Sequence, residues 1–259
     1  MDTRFWGPSA WQLFHLIAHS QRSKEDVPTQ RALELFFNNI KDILPCKFCR
    51  ASTTEFMEKD LPLHPMRQNI AKWLYLLHNR VNKKLREQSK TDSNVRDPGP
   101  DPSFEEIEAK YRGLLAYTPK QLKVVPGADF LFALAYNYPD KPTSDHIETH
   151  FQFWDGLLVL FPYPHLRELL RSYVSTHMIY PALQSRSLYM RWVHGLLKKL
   201  CRGKVRSYSG LCQHVGYYRS KCESPTYRGK TCRRSKDGTY HKVRDHGKTY
   251  RITHGRLLQ

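Results

Sequence analysis

The chain of 259 residues contains 42 Lys or Arg and 24 Asp or Glu, so its formal net charge is +18. Its 40% apolar content, which includes 12 Phe and five Trp, can build hydrophobic cores and excludes a largely disordered chain. Because no apolar run approaches the roughly 18 residues of a transmembrane helix and the start "MDTRFWGPSAW" lacks a secretory signal, we expect a cytoplasmic protein with no membrane partner.

The first part of the chain is predicted to form a bundle of four helices. The first helix opens at the Pro-Ser pair of "WGPSAW", residue types that favour helix starts. The second occupies "PTQRALELFFNNIKDIL" and is broken by Pro45. The third begins at the pair Cys46 and Cys49 and runs to about residue 59, and the fourth runs from about residue 66 to 88.

A polar loop rich in Pro and Gly, "SKTDSNVRDPGPDPS", precedes a short helix, "FEEIEAKYRGLL". The helical pattern then returns over residues 130–200 in nearly the same register. This register indicates an internal duplication of the bundle, although any two four-helix segments share apolar periodicity. The aligned pairs are Ala18 with Ala135, Pro45 with Pro162 and "VNKKL" (81–85) with "LLKKL" (196–200), at offsets of 117, 117 and 115 residues.

The two copies differ at the positions that carry reactive or polar groups. The second copy keeps the apolar pattern and loses these groups, which a purely structural bundle would have no reason to hold together in the first copy. Cys46 and Cys49 align with Tyr163 and Leu166, His78 and Asn82 with Val193 and Leu197, and His15 with Phe132.

The C-x-x-C pair can be half of a zinc site, a redox dithiol or two core thiols. Cys46 directly follows Pro45 at a predicted helix N-terminus, where free N–H groups and the helix dipole favour a thiolate. A thiolate is the species that attacks a disulfide. In the cytosol, where structural disulfides are unusual, a catalytic or metal-binding role is favoured.

His78 and Asn82 are four residues apart, so they project from one face of the fourth helix. Together they could hydrogen-bond a buried polar ligand. On its own, such a pair is more often a core histidine beside a surface asparagine.

Three elements in order, W-G-x-x-x-W-x-x-x-H, P-C-x-x-C and W-x-x-x-x-H-N-x-V-N-x-K-L, resemble the Erv/ALR family of FAD-linked sulfhydryl oxidases. The chain looks most like the members from large DNA viruses, and its degenerate second copy is similar to that of the quiescin-type oxidases. For a viral protein the expected location is the host cytoplasm or the virion. Many cellular members carry a short-spaced pair of shuttle cysteines outside the core, and cysteines that link a dimer. Residues 1–200 of this chain contain neither.

The resemblance implies an all-α fold, with a FAD-binding four-helix bundle and a short fifth helix. It implies that Cys49 is the sulfur nearer the flavin and Cys46 the outer sulfur attacked by the incoming thiol. No metal is expected. The resemblance covers residues 4 to about 112, and we expect an oxidase domain at 1–112. From the internal repeat and the charge distribution we expect a degenerate helical domain at 113–200 that binds no cofactor, and a basic tail at 201–259. The implied cofactor-binding residues are Gly7, Trp11, His15, His78, Asn79, Val81, Asn82, Lys84 and Tyr111.

Residues 201–259 hold 15 Lys or Arg and 3 Asp or Glu, a net charge of 15 − 3 = +12, with six Tyr and few aliphatic residues. We expect this tail to be flexible, without a core of its own. It could bind nucleic acid or another acidic surface, hold zinc, supply a shuttle dithiol or be a basic extension only. Its four cysteines are Cys201, Cys212, Cys222 and Cys232, which lack the close pairing of zinc modules.

The favoured function is therefore oxidation of protein thiols to disulfides, with electrons passing to FAD and then to O2, which yields H2O2. A homodimer is considered as a further partnership. The alternative is a zinc-containing nucleic-acid-binding protein, with Cys46 and Cys49 as two of the metal ligands. A thioredoxin-like fold is disfavoured because no strand precedes the C-x-x-C.

Overall fold

We describe a computed structural model, which gives the structure of residues 1–20, 27–64, 69–93, 95–122, 124–219, 241–245 and 247–252. The first part contains α1 (Thr3–Ser20), α2 (Val27–Ile43), α3 (Lys47–Glu55) with a π-helical turn (Phe56–Asp60), α4 (Ile70–Ser89) and α5 (Phe104–Leu115). The second contains α6 (Ala128–Asn137), α7 (Ser144–Leu160), α8 (Pro164–Thr176), α9 (Ile179–Ala182) and α10 (Arg186–Leu200). Helix α11 (Tyr208–Tyr217) and an antiparallel pair, β1 (His241–Asp245) and β2 (Lys248–Ile252), follow.

The predicted all-α fold is confirmed, and local signals explain most helix ends. Pro45 separates α2 from α3, and Ser103 with Glu106 forms a capping box at the start of α5. Helix α1, however, begins five residues before Pro8, at Thr3. The reason is Asp2, whose carboxylate accepts a hydrogen bond from the Arg4 N–H at 2.9 Å and so acts as an N-cap.

The two copies pack against each other through equivalent helices, because α1 contacts α6 and α2 contacts α7. Phe36 on α2 stacks on Phe153 on α7 with ring centroids 5.1 Å apart, and these residues are separated by 153 − 36 = 117 positions, the offset of the duplication. Gly156 permits this close approach, since a Cβ there would lie 3.2 Å from the Phe36 Cβ. The two segments aligned in sequence therefore contact each other through helices that hold equivalent positions in the predicted duplication.

The interior of the second copy is filled by apolar side chains at the positions that are polar in the first copy. Val193 and Leu197, which align with His78 and Asn82, are fully buried. Tyr163 and Leu166, which align with the two cysteines, are buried as well. Burial of these side chains favours a packed core over a ligand site.

The basic segment after residue 200 differs from the expected flexible tail at α11. Leu211 and Val215 are buried against the bundles, and Tyr218 stacks on Phe5 of α1 at 4.8 Å. The backbone N–H of Ser207, the N-cap of α11, donates to the Asp245 carboxylate at 3.2 Å. Helix α11 thus packs against α1 and α6 and has no hydrophobic core of its own. The small number of aliphatic residues in the segment gave no sign of this packing.

None of the helices in the described part of the chain combines the length and apolarity needed to cross a bilayer. Helix α5 ends at Leu115, three residues beyond the predicted domain boundary at residue 112. Cys222 and Cys232 lie outside the described residues.

Candidate functional site

A cavity of about 470 Å³ lies at the end of the first bundle, between α1, α3, α4 and α5. Apolar and aromatic side chains form most of its wall, as is usual for cofactor sites. Most of the predicted cofactor-binding residues line it, together with one cysteine of the C-x-x-C. These are Gly7, Trp11, Cys49, His78, Val81, Asn82, Lys84 and Tyr111.

The two cysteines hold different positions at the start of α3. Cys46 is the N-cap, and its Sγ accepts the backbone N–H of Cys49 at 3.3 Å. Such donation from a helix N-terminus favours a thiolate on Cys46. The hydrogen bond to Cys46, burial and the charge of Cys46 raise the pKa of the Cys49 thiol, while Lys84 acts to lower it.

Cys46 is only 1% exposed, which differs from the open position that an outer sulfur would have. Met1, itself buried, lies near enough for the charges of both cysteines to act on its amino group. Asp2 is fully buried and pairs with Arg4 at 2.7 Å, which fixes the residues after Met1. An incoming thiol can reach Cys46 only after the residues around it move.

His15 lies behind the cavity wall rather than in it. Its Nε2 lies 3.0 Å from Nδ1 of His78, and its ring stacks on Tyr111 with centroids 4.7 Å apart. On the cavity side, Trp11 stacks on His78 at 3.8 Å with an interplanar angle of 9°. His15 is thus a support for His78, and the two histidines join α1 to α4.

Both histidines are held neutral. Burial, followed by the charges of His78 and His19, lowers the pKa of His15 to about 2. Burial lowers the pKa of His78 to about 4, against the opposing influence of Asp101. Nδ1 of His15 is buried and has no hydrogen-bond partner among the described residues. Burying an unprotonated ring nitrogen without a partner costs less free energy than burying an N–H group without an acceptor. We therefore assign the proton of His15 to Nε2, which donates to His78.

Asn82 is held by a residue that sequence analysis missed. Its Nδ2 donates to the Asp101 carboxylate at 2.9 Å, and the guanidinium of Arg86 donates to the same carboxylate at 2.6 Å. With its amide nitrogen bound outside, Asn82 can offer its carbonyl oxygen to the cavity. Asp101 lies in the Pro-rich loop, where local sequence gives no sign of this contact.

Lys84 is positioned in a similar way, because its Nζ donates to the Ser52 hydroxyl at 2.7 Å. Arg4 and Lys110 add two further cations to the cavity wall. Trp6 also lines the cavity, and its buried Nε1 has no hydrogen-bond partner in the described part of the chain. Of these residues, sequence analysis identified Lys84 only.

Asn79 does not line the cavity, so its role in cofactor binding stays a prediction. Each helical residue turns by about 100°, so residue 79 lies beside the face that His78 and Asn82 share rather than on it. Its neighbour Arg80 pairs with the surface carboxylate of Asp60 at 2.8 Å.

Within the ranges that the structure covers, no group of three or more His, Cys, Asp or Glu is arranged to hold a metal ion. Cys46 and Cys49 accordingly have no further metal ligands among these residues. The cavity beside them is the feature that remains to be explained.

Comparison with known proteins bears directly on this site. Residues 8–98 match the model of the Erv1 / Alr family, which confirms the resemblance drawn from the three sequence elements. The mitochondrial FAD-linked sulfhydryl oxidase ERV1 of Saccharomyces cerevisiae is 30% identical over 93 residues, 36% of this chain and 49% of that protein. The probable FAD-linked sulfhydryl oxidase R368 of Acanthamoeba polyphaga mimivirus is 29% identical over 86 residues, 32% of this chain and 59% of that protein.

The chain thus spans only about half the length of the curated relatives it matches. No solved structure gives a significant match.

Proposed function

We propose that this chain, whose residues 8–98 carry an Erv1/Alr-family domain, is a FAD-dependent thiol oxidase that forms disulfide bonds in substrate proteins. One observation carries the proposal: Cys49 of the C-x-x-C borders a cavity of about 470 Å³ walled by aromatic side chains. A structural dithiol would have no need of such a cavity. The two relatives named above are sulfhydryl oxidases, which adds support.

The residues present fit FAD. Trp11, His78 and Tyr111 offer planar, largely apolar surfaces that suit a flat ring system. Lys84 and Lys110 bring positive charge that suits a diphosphate. The buried Nε1 of Trp6 is a donor without a partner among the described residues. When bound, FAD would supply the two-electron acceptor that returns the dithiol to a disulfide and passes electrons to O2, giving H2O2.

The protein's own chemistry is thiol–disulfide exchange. A substrate thiolate attacks Sγ of Cys46 in the Cys46–Cys49 disulfide, which forms a mixed disulfide and releases Cys49. The second substrate thiolate then attacks the substrate sulfur of the mixed disulfide, which releases the substrate disulfide and Cys46. The N–H of Cys49, which donates to Cys46 at 3.3 Å, stabilises the thiolate that leaves in this last step.

Lys84 and His78 set the charge next to Cys49 on the cavity side of the dithiol. The charge of Lys84 lowers the pKa of Cys49 against the larger raising influences, so it favours the thiolate that borders the cavity. His78, kept neutral, presents a polar edge without adding a second cation.

If the chain forms a homodimer, the interface lies away from the faces of α1 and α2 that α6 and α7 already cover.

The proposal is tested by oxygen consumption of the purified, FAD-supplied full chain with dithiothreitol as the reductant. We expect sustained uptake with the starting protein and with Cys212→Ser, which changes a thiol of α11. Cys46→Ala and Cys49→Ala should each lower uptake by at least a hundredfold. Equal uptake in all four proteins, or an absence of bound flavin in every preparation, would overturn the proposal.

A further inference from the structure

The stretch between Glu168 and Glu223 contains no acidic residue. Residues 169–219 hold nine Lys or Arg, so half of the chain's net charge of +18 lies in this one described segment. Of these nine, Arg171 pairs with Glu168 and Arg186 pairs with Asp140. Six exposed cations make no ion pair with a carboxylate among the described residues, Arg219 being one of them. The other five lie on α10 or in the turn after it: Arg191, Lys198, Lys199, Arg202 and Lys204.

These cations follow one exposed side of α10. Arg191 and Lys198 are seven residues apart, which is two helical turns and about 10.5 Å along the axis. The turn after α10 brings Arg202 and Lys204 to the same end, since the N–H of Gly203 donates to the Lys198 carbonyl at 2.8 Å. The result is a continuous basic stripe.

Residues at the start of α11 and in the loop before it pack against the basic stripe. The Arg191 guanidinium lies over the Tyr208 ring at 5.1 Å, and His194 Nε2 lies 2.9 Å from the Arg206 carbonyl oxygen. The loop 201–207 therefore folds back on α10. The cations are displayed by a packed platform rather than by a loose segment.

Large apolar side chains are exposed at the opposite end of α10. Met178 is 71% exposed, Tyr180 is 57% exposed and Leu188 is 49% exposed. Trp192 of α10 connects this helix to the segment that carries Met178, because its Nε1 donates to the His177 carbonyl at 2.7 Å. Leu188 lies on α10 one turn before Trp192. From Leu188 to Lys198 the same side of α10 thus passes from apolar to basic over about 15 Å.

We propose that this face, formed by Met178, Tyr180 and the exposed side of α10 with its following turn, binds the surface of an anionic lipid bilayer. Lys and Arg near a bilayer are attracted to anionic headgroups, and exposed Met, Leu and Tyr enter the interfacial region. A nucleic acid would explain the cations alone and would leave the apolar end without a role. The expectation of no membrane partner rested on the lack of a transmembrane run and of a secretory signal. Binding to a bilayer surface requires neither.

The face has a defined limit. Phe151 of α7 contacts Tyr180 with ring centroids 6.4 Å apart, and Glu148 and Asp155 lie within about one turn of Phe151 on either side. These carboxylates would be repelled by anionic lipid, so α7 forms the edge of the face. The proposal is independent of the thiol oxidase activity.

The test is co-sedimentation of the full chain with vesicles of phosphatidylcholine alone and of phosphatidylcholine mixed with phosphatidylserine. We expect binding to the mixed vesicles only, weakened by added salt. Lys198→Glu with Arg202→Glu should lower the partition coefficient more than tenfold, since each cation near such a surface contributes about fivefold. Met178→Ser with Leu188→Ser should also lower it, by several-fold.

Two matched controls separate this face from net charge and from exposed apolar area in general. Lys90→Glu with Lys120→Glu makes the same charge change elsewhere, and Val27→Ser removes an exposed apolar residue of α2. Both should bind as the starting protein does. The proposal is overturned if the controls lose as much binding as the face variants, or if the face variants lose none. Binding of a DNA duplex without binding of mixed vesicles would also overturn it and would assign the face to nucleic acid.

Discussion

His15 and His78, which are 63 residues apart in sequence, are joined by a contact of 3.0 Å between Nε2 and Nδ1 behind the dithiol cavity. With the proton of His15 on Nε2, His78 keeps its own proton on the nitrogen that faces away from His15. One buried histidine thus fixes the tautomer of another, which is the usual way in which an imidazole is prepared for a ligand.

His15→Phe keeps the ring stacked near Tyr111 and removes the donor to His78. We expect FAD affinity to fall about fivefold to tenfold, in line with the loss of one buried hydrogen bond. Titration of the apo-protein with FAD, followed by quenching of flavin fluorescence, measures the effect. His165→Phe, which changes a half-buried histidine of α8, is the control and should not alter the affinity. Unchanged affinity in His15→Phe would contradict the supporting role.

Asp101→Asn should weaken FAD binding because it loosens Asn82 and Arg86, which both donate to that carboxylate. We expect roughly a tenfold rise in the dissociation constant, because both hydrogen bonds to the Asp101 carboxylate are charge-assisted and both are weakened. Asp60→Asn is the matched control, because it breaks the ion pair between Asp60 and Arg80 of α4, which lies outside the cavity. A larger effect in the control than in Asp101→Asn would refute the assignment.

Acid should destabilise the fold through its buried histidines. Burial lowers the pKa of His150 to about 3, whereas the same group in the unfolded chain titrates near its usual value of 6.5. Between about pH 6.5 and 3 the unfolded state therefore binds more protons, so the free energy of unfolding falls as the pH falls. The slope is at most about 1.4 kcal/mol per pH unit for each such histidine.

Urea unfolding at pH 7 and pH 5 tests this dependence without reference to the cofactor. His150→Gln removes the titrating group and should flatten the pH dependence, even if the lost bond to Tyr189, 3.1 Å away, lowers stability at pH 7. His177→Gln changes an exposed histidine and should leave the slope as it is. An equal slope in all three proteins would count against a neutral His150.

Tyr218→Ala should expose Cys46. Tyr218, directly after α11, stacks on Phe5 at 4.8 Å, and its carbonyl accepts the Asp2 N–H at 2.9 Å. It therefore helps to fix residues 1–5, whose amino terminus lies near both cysteines. The stacking contributes about 0.5–1.5 kcal/mol beyond burial, which predicts several-fold faster alkylation of Cys46, followed by peptide mass spectrometry. Tyr218→Phe retains the stack and should retain the slow rate. Faster alkylation in both variants would mean that the ring contact is not what holds the segment.

Sequence patterns predicted the helices well because each helix carries its own apolar stripe and local end signals. They missed the first turn of α1, since its cap, Asp2, precedes a Pro that suggested a later start. They also missed α11, whose Leu211 and Val215 are buried by other helices, a tertiary effect that composition does not reveal.

At the site, the resemblance identified residues on the inward faces of α1 and α4, and the geometry agrees for His78 and Asn82. It did not identify Asp101 or Lys110, because their roles depend on where a loop and a fifth helix pack. It included Asn79, which belongs to the motif and lies off the cavity face.

The most direct test of the thiol oxidase is the visible absorption spectrum of the purified full chain, recorded before and after addition of dithiothreitol under air. We expect a flavin band that bleaches on addition of the thiol and returns when the thiol is exhausted, with no bleaching in Cys49→Ala. A colourless protein that takes up no FAD and carries stoichiometric zinc would contradict it, and would make Cys46 and Cys49 metal ligands instead.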